Sequence, residues 1–450
     1  MRDFLVVAII LGSAPFCFVS PYIGVLMWYW VTYFNPHRFT WSYAYDFPVA
    51  LVVAVPTLLG TLFAKKSYRS LLAAESLLLF TLWVWYVTTF LYAYATPYFA
   101  GHLDNAKYEL SHITKILLMT FVTILIVNTR ERLRGVLLVT ALSLGLLALK
   151  GSIFGIRTSG EFRVWGPPDS FLSDNNAFGL ALNMSLPLLY FLTRDVQNRW
   201  LRRLLYLCFA SAILSVILTY SRGGLLSLLV VMVAIAYRSK HRLFGASVLI
   251  AAAFVVVAFA SGTWMDRMGH LFHGDLDASA EQRLVAWETT WRFSHDYPIT
   301  GGGFDTLPDE NVFQRYQPRP LPLGFLSTAP HSIYFQLLAD QGFVGLILFL
   351  LLIGICFLTL YRIGRAARRI PDGQWLMYYA WMIQISILAF MAAGAFLGFV
   401  YLDLIYEMIG AVVVLKILYA GELARQAEKS LPESSANAIV VVEEDEPALA

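Results

Sequence analysis

Charged residues are scarce in this chain. Only 14% of its 450 residues are Asp, Glu, Lys or Arg, whereas soluble domains carry about 25%. Hydrophobic residues make up 58%, and apolar runs of the roughly 20 residues needed to cross a bilayer recur as far as Ala420. This composition excludes a separate water-soluble catalytic domain. It predicts one transmembrane domain over residues 1–421 and a disordered cytoplasmic tail over residues 422–450.

Cysteine and the signatures of several enzyme classes are also missing. The chain has 3 cysteines, all within apolar runs, where they are typical of small core residues and not of a disulfide or metal framework. It contains no P-loop, dinucleotide-binding glycine pattern, HExxH or GxSxG motif. The sequence therefore predicts no nucleotide-binding cradle and no nucleic-acid partner.

The apolar segments predict an all-α polytopic membrane protein with about twelve transmembrane helices. The first segment, Phe4–Phe34, is interrupted at Ser20-Pro21, and we interpret it as one kinked span plus a short re-entrant piece. The other predicted spans are Phe47–Ala64, Leu71–Tyr94, Ile113–Val127, Leu133–Phe154, Ala177–Thr193, Leu201–Thr219, Gly223–Tyr237, Leu243–Gly262, Ile333–Leu360, Trp375–Phe399 and Leu404–Ala420.

Lys and Arg are concentrated in alternate short loops, which the positive-inside rule places in the cytoplasm. Both termini are then predicted to be cytoplasmic, and two long loops, Lys150–Asn176 and Thr263–Pro330, are predicted to be periplasmic. The second loop includes an amphipathic helix predicted over Glu281–His295, with Leu284, Trp287 and Trp291 at helical spacing. This helix would lie on the membrane surface or cap the spans beneath it. The basic loops carry Lys65, Lys66 and Arg69; Arg130, Arg132 and Arg134; Arg194, Arg199, Arg202 and Arg203; Arg238, Lys240 and Arg242; and Arg362, Arg365, Arg368 and Arg369.

A second set of arginines lies on the predicted periplasmic side. The planar guanidinium group matches the oxygens of a phosphate, so these arginines point to an anionic, lipid-linked substrate. The alternative interpretation is solvated loop charge. We assign that alternative to Arg157, Arg292, Arg315 and Arg319. The whole set is Arg157, Arg163, Arg222, Arg267, Arg283, Arg292, Arg315 and Arg319.

Three of these arginines occupy informative positions. Arg222 lies in a very tight turn between two spans, where it either faces the substrate or extends to the lipid headgroups. Arg283 opens the amphipathic helix, which is a poor place for a cation unless an anion binds beside it. Arg163 precedes the rigid Trp165–Pro168 turn, in a loop that has no catalytic signature of its own.

His331 is the best candidate for acid–base chemistry. It lies where the large loop re-enters the membrane, directly after Pro330 and just before a predicted helix. A histidine has a pKa close to neutral and can accept the proton of a hydroxyl group. The alternative interpretation is a histidine that only caps the helix.

A metal site is a weaker possibility. Two histidines and two aspartates fall close together in the large loop, and an Asp-x-Asp pair can hold a divalent cation on a diphosphate. Such short patterns arise readily by chance, so we predict no metal site. The residues are His270, His273, Asp275 and Asp277.

Three segments, in order, resemble the superfamily of O-antigen ligases and O-antigen polymerases. They are the Ser221-Arg222-Gly223 turn, the stretch from Arg283 to Pro298 with Gly301–Phe304, and the stretch from His331 through Asp340, Gly342 and Gly345. The N-terminal stretches Pro21–Gly24 and Asn35–Arg38 resemble a subgroup named as O-glycosylation ligases. Members of the superfamily often have Asn after the histidine, where this chain has Ser332.

The resemblance implies an inner-membrane glycosyltransferase of the GT-C-like type. It implies transfer of a glycan from undecaprenyl diphosphate to the lipid A–core oligosaccharide at the periplasmic face, with inversion and without metal or cofactor. By the same resemblance His331 is the base, Arg222 and Arg283 bind the donor diphosphate, and Arg163 is a further donor-binding residue. Membrane lipids are the other expected partners.

Two other functions remain open. The same donor could serve a polymerase or a protein O-oligosaccharyltransferase. A non-enzymatic transporter of the lipid-linked glycan would show charges at the membrane midplane and duplicated broken helices, whereas the informative residues here gather at one predicted face.

Overall fold

The computed structural model describes residues 1–66, 68–238 and 278–429, and the regular elements within them are helices, with no β-strand. The predicted span Leu243–Gly262, Arg267 and the cluster from His270 to Asp277 lie outside the described residues. The α-helices are α1 Arg2–Val19, α2 Pro21–Phe34, α3 Val49–Phe63, α4 Ala74–Ala95, α5 Leu103–Ile126, α6 Arg130–Arg157, α7 Asn175–Leu192, α8 Arg199–Leu218, α9 Arg222–Arg238, α10 Ala278–Asp296, α11 Glu310–Tyr316, α12 Ile333–Ala366, α13 Gln374–Gly394 and α14 Asp403–Lys429. Short 3-10 helices cover Pro36–Phe39, Tyr68–Leu72, Pro97–His102, Pro322–Gly324 and Ala367–Arg369.

The helices confirm a polytopic membrane protein. In the described part of the chain, 8 helices are long and apolar enough to cross a membrane. Helix α3 is apolar but has only 15 residues, fewer than the roughly 17 that the shortest spans need. The count of twelve spans and the likeness to GT-C enzymes therefore stay predictions.

The first apolar segment forms two helices that run in opposite directions. Pro21 begins α2 and Ser20 before it is extended, with φ −130°, because a proline ring disfavours the helical conformation of the preceding residue. The carboxylate of Asp3, in the first turn of α1, accepts hydrogen bonds from the backbone N–H of Ser42 (3.0 Å) and Ala44 (3.3 Å). These residues follow the end of α2, so α1 begins at the end of the bundle where α2 finishes.

The predicted basic loops meet at one end of the bundle, which we call the basic end. There the Asp195 carboxylate in the α7–α8 loop pairs with Arg130 of α6 and lies 3.7 Å from Arg134. The hydroxyl of Tyr379 in α13 donates to the same carboxylate at 2.7 Å. One buried anion therefore joins two of the basic loops to α13.

Asp3 and the described end of α14 lie at opposite ends of the bundle, whereas the sequence predicted both termini on one side. Lys416 of α14 pairs with Glu75 at 2.7 Å, and Glu75 opens α4 directly after the basic Lys65–Arg69 loop. The end of α14 therefore lies at the basic end, whereas Asp3 lies at the other. The difference arises because the sequence predicted one crossing in the first apolar segment, whereas the chain forms two helices there, divided at Pro21. Helix α14 also continues to Lys429, so residues 422–429 are helical and not part of a disordered tail.

Helix α12 is broken at Gly342, which has φ 65° and ψ −172°. The backbone groups released by the break bond to the Pro298–Gly303 segment. Gly302 N–H donates to the carbonyl of Ala339 at 3.0 Å, Gly303 N–H to that of Asp340 at 2.9 Å, and Phe343 N–H to that of Pro298 at 2.8 Å. A Cβ atom on Gly301 would lie 2.4 Å from the carbonyl oxygen of Ala339, so the glycines permit this close approach.

We expect cysteine labelling to distinguish the two ends of the bundle. Tyr43 lies beside Asp3 and is 62% exposed, and Tyr68 follows the basic Lys65–Lys66 pair and is 60% exposed. By the positive-inside rule, a membrane-impermeant maleimide added to spheroplasts should label Tyr43→Cys and leave Tyr68→Cys unlabelled until the membrane is permeabilised. The native cysteines are buried, and the unsubstituted chain is the control. The opposite labelling pattern would invert the orientation.

Candidate functional site

The residues between α13 and α14 bring the predicted motifs together. The predicted span Trp375–Phe399 stops at Gly394, and residues 395–402 cross the end of the bundle opposite the basic end. A Cβ atom placed on Gly223 would lie 3.3 Å from Leu397 Cγ, and one placed on Gly398 would lie 3.4 Å from the backbone nitrogen of His331. Sequence reasoning assigned part of this connection to a membrane span and missed its role.

The turn before Arg222 is built by local hydrogen bonds. Tyr220 adopts a left-handed conformation with φ 57°, and the hydroxyl oxygen of Ser221 accepts from the N–H of Gly224 at 3.1 Å, as a helix-capping serine does. The side-chain amide of Asn175, the first residue of α7, donates to the carbonyl of Thr219 at 2.8 Å. The N-termini of α7 and α9 therefore lie beside each other, with Arg222 at the start of α9.

Helix α10 holds Arg283 against the His331 segment. The indole N–H of Trp287 donates to the carbonyl of Pro330 at 2.8 Å, and its ring stacks on Phe335 at 5.2 Å between centroids. Trp287 also contacts the ring of Phe396, at 6.3 Å. Arg283 precedes Trp287 by about one helical turn and shares its face of the helix.

The buried face of α10 differs from its most apolar stripe. Leu284 and Trp291 are 41% and 51% exposed, and both are available to the membrane interface. The residues that pack against the protein include Val285, Ala286, Thr289, Thr290 and Phe293.

His331 stands in an accessible position just before α12. Its backbone is left-handed, with φ 50°, and its side chain is exposed. Helix α12 begins at Ile333, as predicted, and Ser332 is its N-cap residue. The geometry therefore does not place His331 in the capping position that was its alternative interpretation.

Charges around His331 tune its basicity. The surrounding protein partly desolvates the imidazole and the positive Arg283 repels its protonated form, so both lower the pKa of His331, while Asp174 opposes them. The ordinary pKa is about 6.5, so the ring is neutral near pH 7. Asp174 is the N-cap of α7, where it accepts from the N–H of Asn176 at 2.8 Å and of Ala177 at 3.1 Å. Sequence reasoning had noted its loop without assigning it a role.

Arg163 lies at a different place. It lines a cavity of about 230 Å³ together with Lys150, Trp165 and Phe178, and none of the residues lining this cavity belongs to the His331 group. The neighbouring Val164 N–H donates to the carbonyl of Leu218 at 2.9 Å, so this loop reaches the end of α8, close to the Arg222 turn. The structure thus brings Arg222, Arg283 and His331 together. Arg163 lies outside this group, in a neighbouring cavity.

Comparison with protein families finds two matching family models. The family model described as O-antigen ligase matches residues 206–350, a range that contains Arg222, Arg283 and His331. This match supports the O-antigen ligase and polymerase superfamily. Residues 1–197 match a second model, a family of unknown function designated DUF5935. No curated protein gives a significant match.

Three of the four arginines assigned to loop charge have acidic or aromatic neighbours. Arg292 pairs with Glu288 at 2.8 Å, and Arg319 lies 3.6 Å from Glu281. Arg315 lies over the ring of Tyr98, at 5.2 Å from its centroid. Exposed pairs of this kind contribute little energy, which fits their assignment as surface charge.

Asp340, the acidic residue of the motif that begins at His331, has a structural role. Asp340 is 2% exposed and accepts hydrogen bonds from the hydroxyl of Tyr401 at 3.0 Å and from the N–H of Thr306 at 3.3 Å. The side-chain oxygen of Gln336 accepts from the N–H of Val400 at 3.3 Å. These bonds fix residues 395–402 to α12 and so hold the connection that joins the site.

Metal ligands are not grouped in the part of the chain that the structure describes, where no three His, Cys, Asp or Glu side chains converge as a metal site would require. The cluster from His270 to Asp277 lies outside that part.

We expect the pKa of His331 to respond to its two charged neighbours in opposite directions. Arg283→Gln removes a repelling cation and should raise the pKa, whereas Asp174→Asn removes an attracting anion and should lower it further. Asn is itself a good N-cap, so α7 should remain intact. Diethyl pyrocarbonate modifies the neutral imidazole, and its rate as a function of pH, measured against His331→Gln as background, reports the pKa. Identical profiles for both variants and the unsubstituted protein would show that neither charge acts on His331.

Proposed function

We propose that this protein is an O-antigen ligase of the inner membrane, which transfers a glycan from undecaprenyl diphosphate to the lipid A–core oligosaccharide at the periplasmic face. The observation that carries the proposal is the grouping of an accessible His331 with Arg283 and the Arg222 turn around residues 396–398. A base and two cations beside one accessible surface are what a transfer from a diphosphate donor needs.

The backbone at this site also favours an anion. Helices α7, α9 and α12 begin at Asn175, Arg222 and Ile333, and contacts among their first turns place these N-termini at the same end of the bundle. A helix N-terminus carries partial positive charge and so favours phosphate. Side chains already cap α7 and α9, through Asp174 and Ser221, whereas α12 has no side-chain cap. Arg222 and Arg283 add full charges that can bind phosphate oxygens in pairs.

The proposed reaction is a single displacement. The acceptor hydroxyl attacks the anomeric carbon of the donor, the bond from that carbon to the diphosphate oxygen breaks, and the diphosphate leaves with the electron pair. His331 takes the proton of the hydroxyl, and the two arginines stabilise the charge that develops on the leaving group. Attack opposite the leaving group inverts the anomeric centre. The arginines supply the neutralising charge, so the proposal includes no metal and no cofactor.

A gene deletion distinguishes a ligase from a polymerase and from a protein O-oligosaccharyltransferase. We expect cells without this protein to lose all long lipopolysaccharide bands on a gel and to accumulate unattached polymer on the lipid carrier, because the glycan is made but not transferred. Complementation with the unsubstituted gene is the control. A single repeat remaining on the core would instead identify a polymerase, and normal lipopolysaccharide with an unglycosylated protein would identify a protein O-oligosaccharyltransferase.

Substitutions at the site should separate catalysis from donor binding. We expect His331→Ala to slow transfer by about 10²–10⁴-fold, the usual contribution of a general base, while the affinity for the donor hardly changes. Arg222→Ala and Arg283→Ala should weaken donor binding as well as lower the rate, because both arginines are proposed to contact the diphosphate in the ground state and in the transition state. Lys at either position should restore little, since it lacks the planar fork of donors.

The measurements are donor binding and transfer rate with purified protein in lipid bilayers. Arg292→Ala is the matched control, because Arg292 lies on the same helix as Arg283 but pairs with Glu288, and it should leave both quantities unchanged. Near-normal transfer by His331→Ala would remove the histidine from the mechanism.

A further inference from the structure

A second cavity lies at the same end of the bundle as His331. Its volume is about 390 Å³, within the range of roughly 300–1,000 Å³ that small-molecule sites occupy. We call it the N-terminal cavity, because residues 28–50, within the family of unknown function, form much of its wall. Residues 108–116 of α5, residues 169–172 and Asp403 complete the wall.

Two histidines in this wall, one buried and one partly buried, have buried ring nitrogens without hydrogen-bond partners among the described residues. His37 is 8% exposed, and its Nδ1 has no hydrogen bond. His112 Nε2 is likewise buried and unbonded, because the nearest carboxylate oxygen, on Asp403, is 3.6 Å away. Buried polar atoms are nearly always bonded in native proteins, so these nitrogens point to a ligand that supplies donors or acceptors.

The wall carries two cations, Arg38 and Lys115, and three carboxylates, those of Asp46, Asp169 and Asp403, so its charge does not favour an anion. Arg38 is already occupied, since it pairs with Asp46 at 3.2 Å and lies over the ring of Tyr45 at 4.7 Å. Asp169, which accepts from the hydroxyl of Tyr45, and Asp403 add further negative charge. Burial and the positive Arg38 lower the pKa of His37 to about 4, with Asp46 opposing, so its ring is neutral and offers one donor and one acceptor.

Aromatic rings supply the remaining surface. Phe171 stacks on His112 with 3.5 Å between centroids and lies 6.3 Å from Tyr108, whose side chain is 61% exposed. Flat aromatic faces pack against the apolar face of a ring, while carboxylates and neutral imidazoles bond to hydroxyl groups. A neutral ring that carries several hydroxyls meets both requirements.

We propose that the N-terminal cavity binds one saccharide unit of a glycan substrate, held by Tyr108 and Phe171 through its ring face and by His37, His112 and the nearby carboxylates through its hydroxyls. The proposal rests on the proposed function for its choice of a glycan. It assigns residues within the match to the family of unknown function to substrate recognition. These residues are separate from Arg222, Arg283 and His331, which the proposed reaction uses.

The position of the cavity supports this assignment. Ser170, Phe171 and Leu172 line it, and Asp174, two residues further on, acts on His331. Four residues of extended chain span at most about 14 Å, so Ser170 and Asp174 can be no further apart than about two to three sugar rings. A glycan held in the cavity can therefore reach His331.

The test is direct binding of two soluble probes to purified protein in nanodiscs. One probe is the core oligosaccharide released from lipid A by mild acid, which represents the acceptor. The other is the polymer released from its lipid carrier, which represents the donor. The probe that binds identifies the source of the saccharide unit, and binding of both supports a site where the two glycans compete.

We expect Tyr108→Ala and His37→Phe each to weaken binding of that probe about tenfold, the factor that corresponds to about 1.4 kcal/mol. His37→Phe keeps the ring volume but removes the polar atoms, and Tyr108 is exposed, so its removal should not unfold the protein. Tyr94→Ala is the matched control, because Tyr94 is 69% exposed and lies outside the cavity. In transfer assays the two cavity variants should raise the KM for the same substrate and leave kcat within about twofold, since stabilisation common to ground and transition states affects KM alone.

Two results would overturn the proposal: binding of neither probe to the unsubstituted protein, or unchanged binding in both cavity variants. Loss of the proposed function gives a different pattern. If the unsubstituted protein binds a probe through Tyr108 and His37 but never transfers a glycan from the diphosphate carrier, the saccharide site stands and the ligase assignment fails.

Discussion

The break in α12 at Gly342 is the constraint on which the site depends. Backbone N–H and C=O groups buried away from water must be paired, and within a bilayer there is no water to replace a lost helical bond. The break is therefore possible only because Gly302, Gly303 and Pro298 pair with the backbone on either side of it. That pairing ties the chain after α10 to the chain after His331. It also accounts for the glycines in both segments, since a Cβ on Gly301 or on Gly342 would lie within 2.4 Å of a carbonyl oxygen.

Around this anchor the protein separates structural charges from accessible ones. Asp195 with Arg130, Glu75 with Lys416 and Asp340 with Tyr401 are buried carboxylates that have partners, as the cost of an unpaired charge requires. His331 instead lies on an accessible surface with its pKa lowered by Arg283. A carboxylate that holds helices together and a histidine that can exchange a proton thus differ mainly in exposure. They also differ in whether the neighbouring cation attracts or repels their charged form.

The two family matches meet at the proposed site. The O-antigen ligase match covers residues 206–350, and the N-terminal match covers Asp174. Residues 396–398 lie after both matches. The N-terminal match also supplies most of the second cavity. Under the proposed function, the O-antigen ligase match provides the base and the diphosphate-binding cations, and the N-terminal match contributes to recognition of the glycan.

The sequence by itself determined the membrane class and the basic end and predicted Arg222, Arg283 and His331 as site residues, because apolar length, the distribution of Lys and Arg, and short ordered motifs are local properties of the chain. Tertiary structure alone decided the rest. Residues 395–402 continue an apolar run, so hydropathy could not show that they leave the helix to contact Gly223 and His331. The direction of α1 followed from one hydrogen-bonded carboxylate, Asp3, which no periodicity reveals. The separation of Arg163 from the site, and the buried nitrogens of His37 and His112, depend on contacts between segments far apart in sequence, and the order of residues along a chain does not specify those contacts.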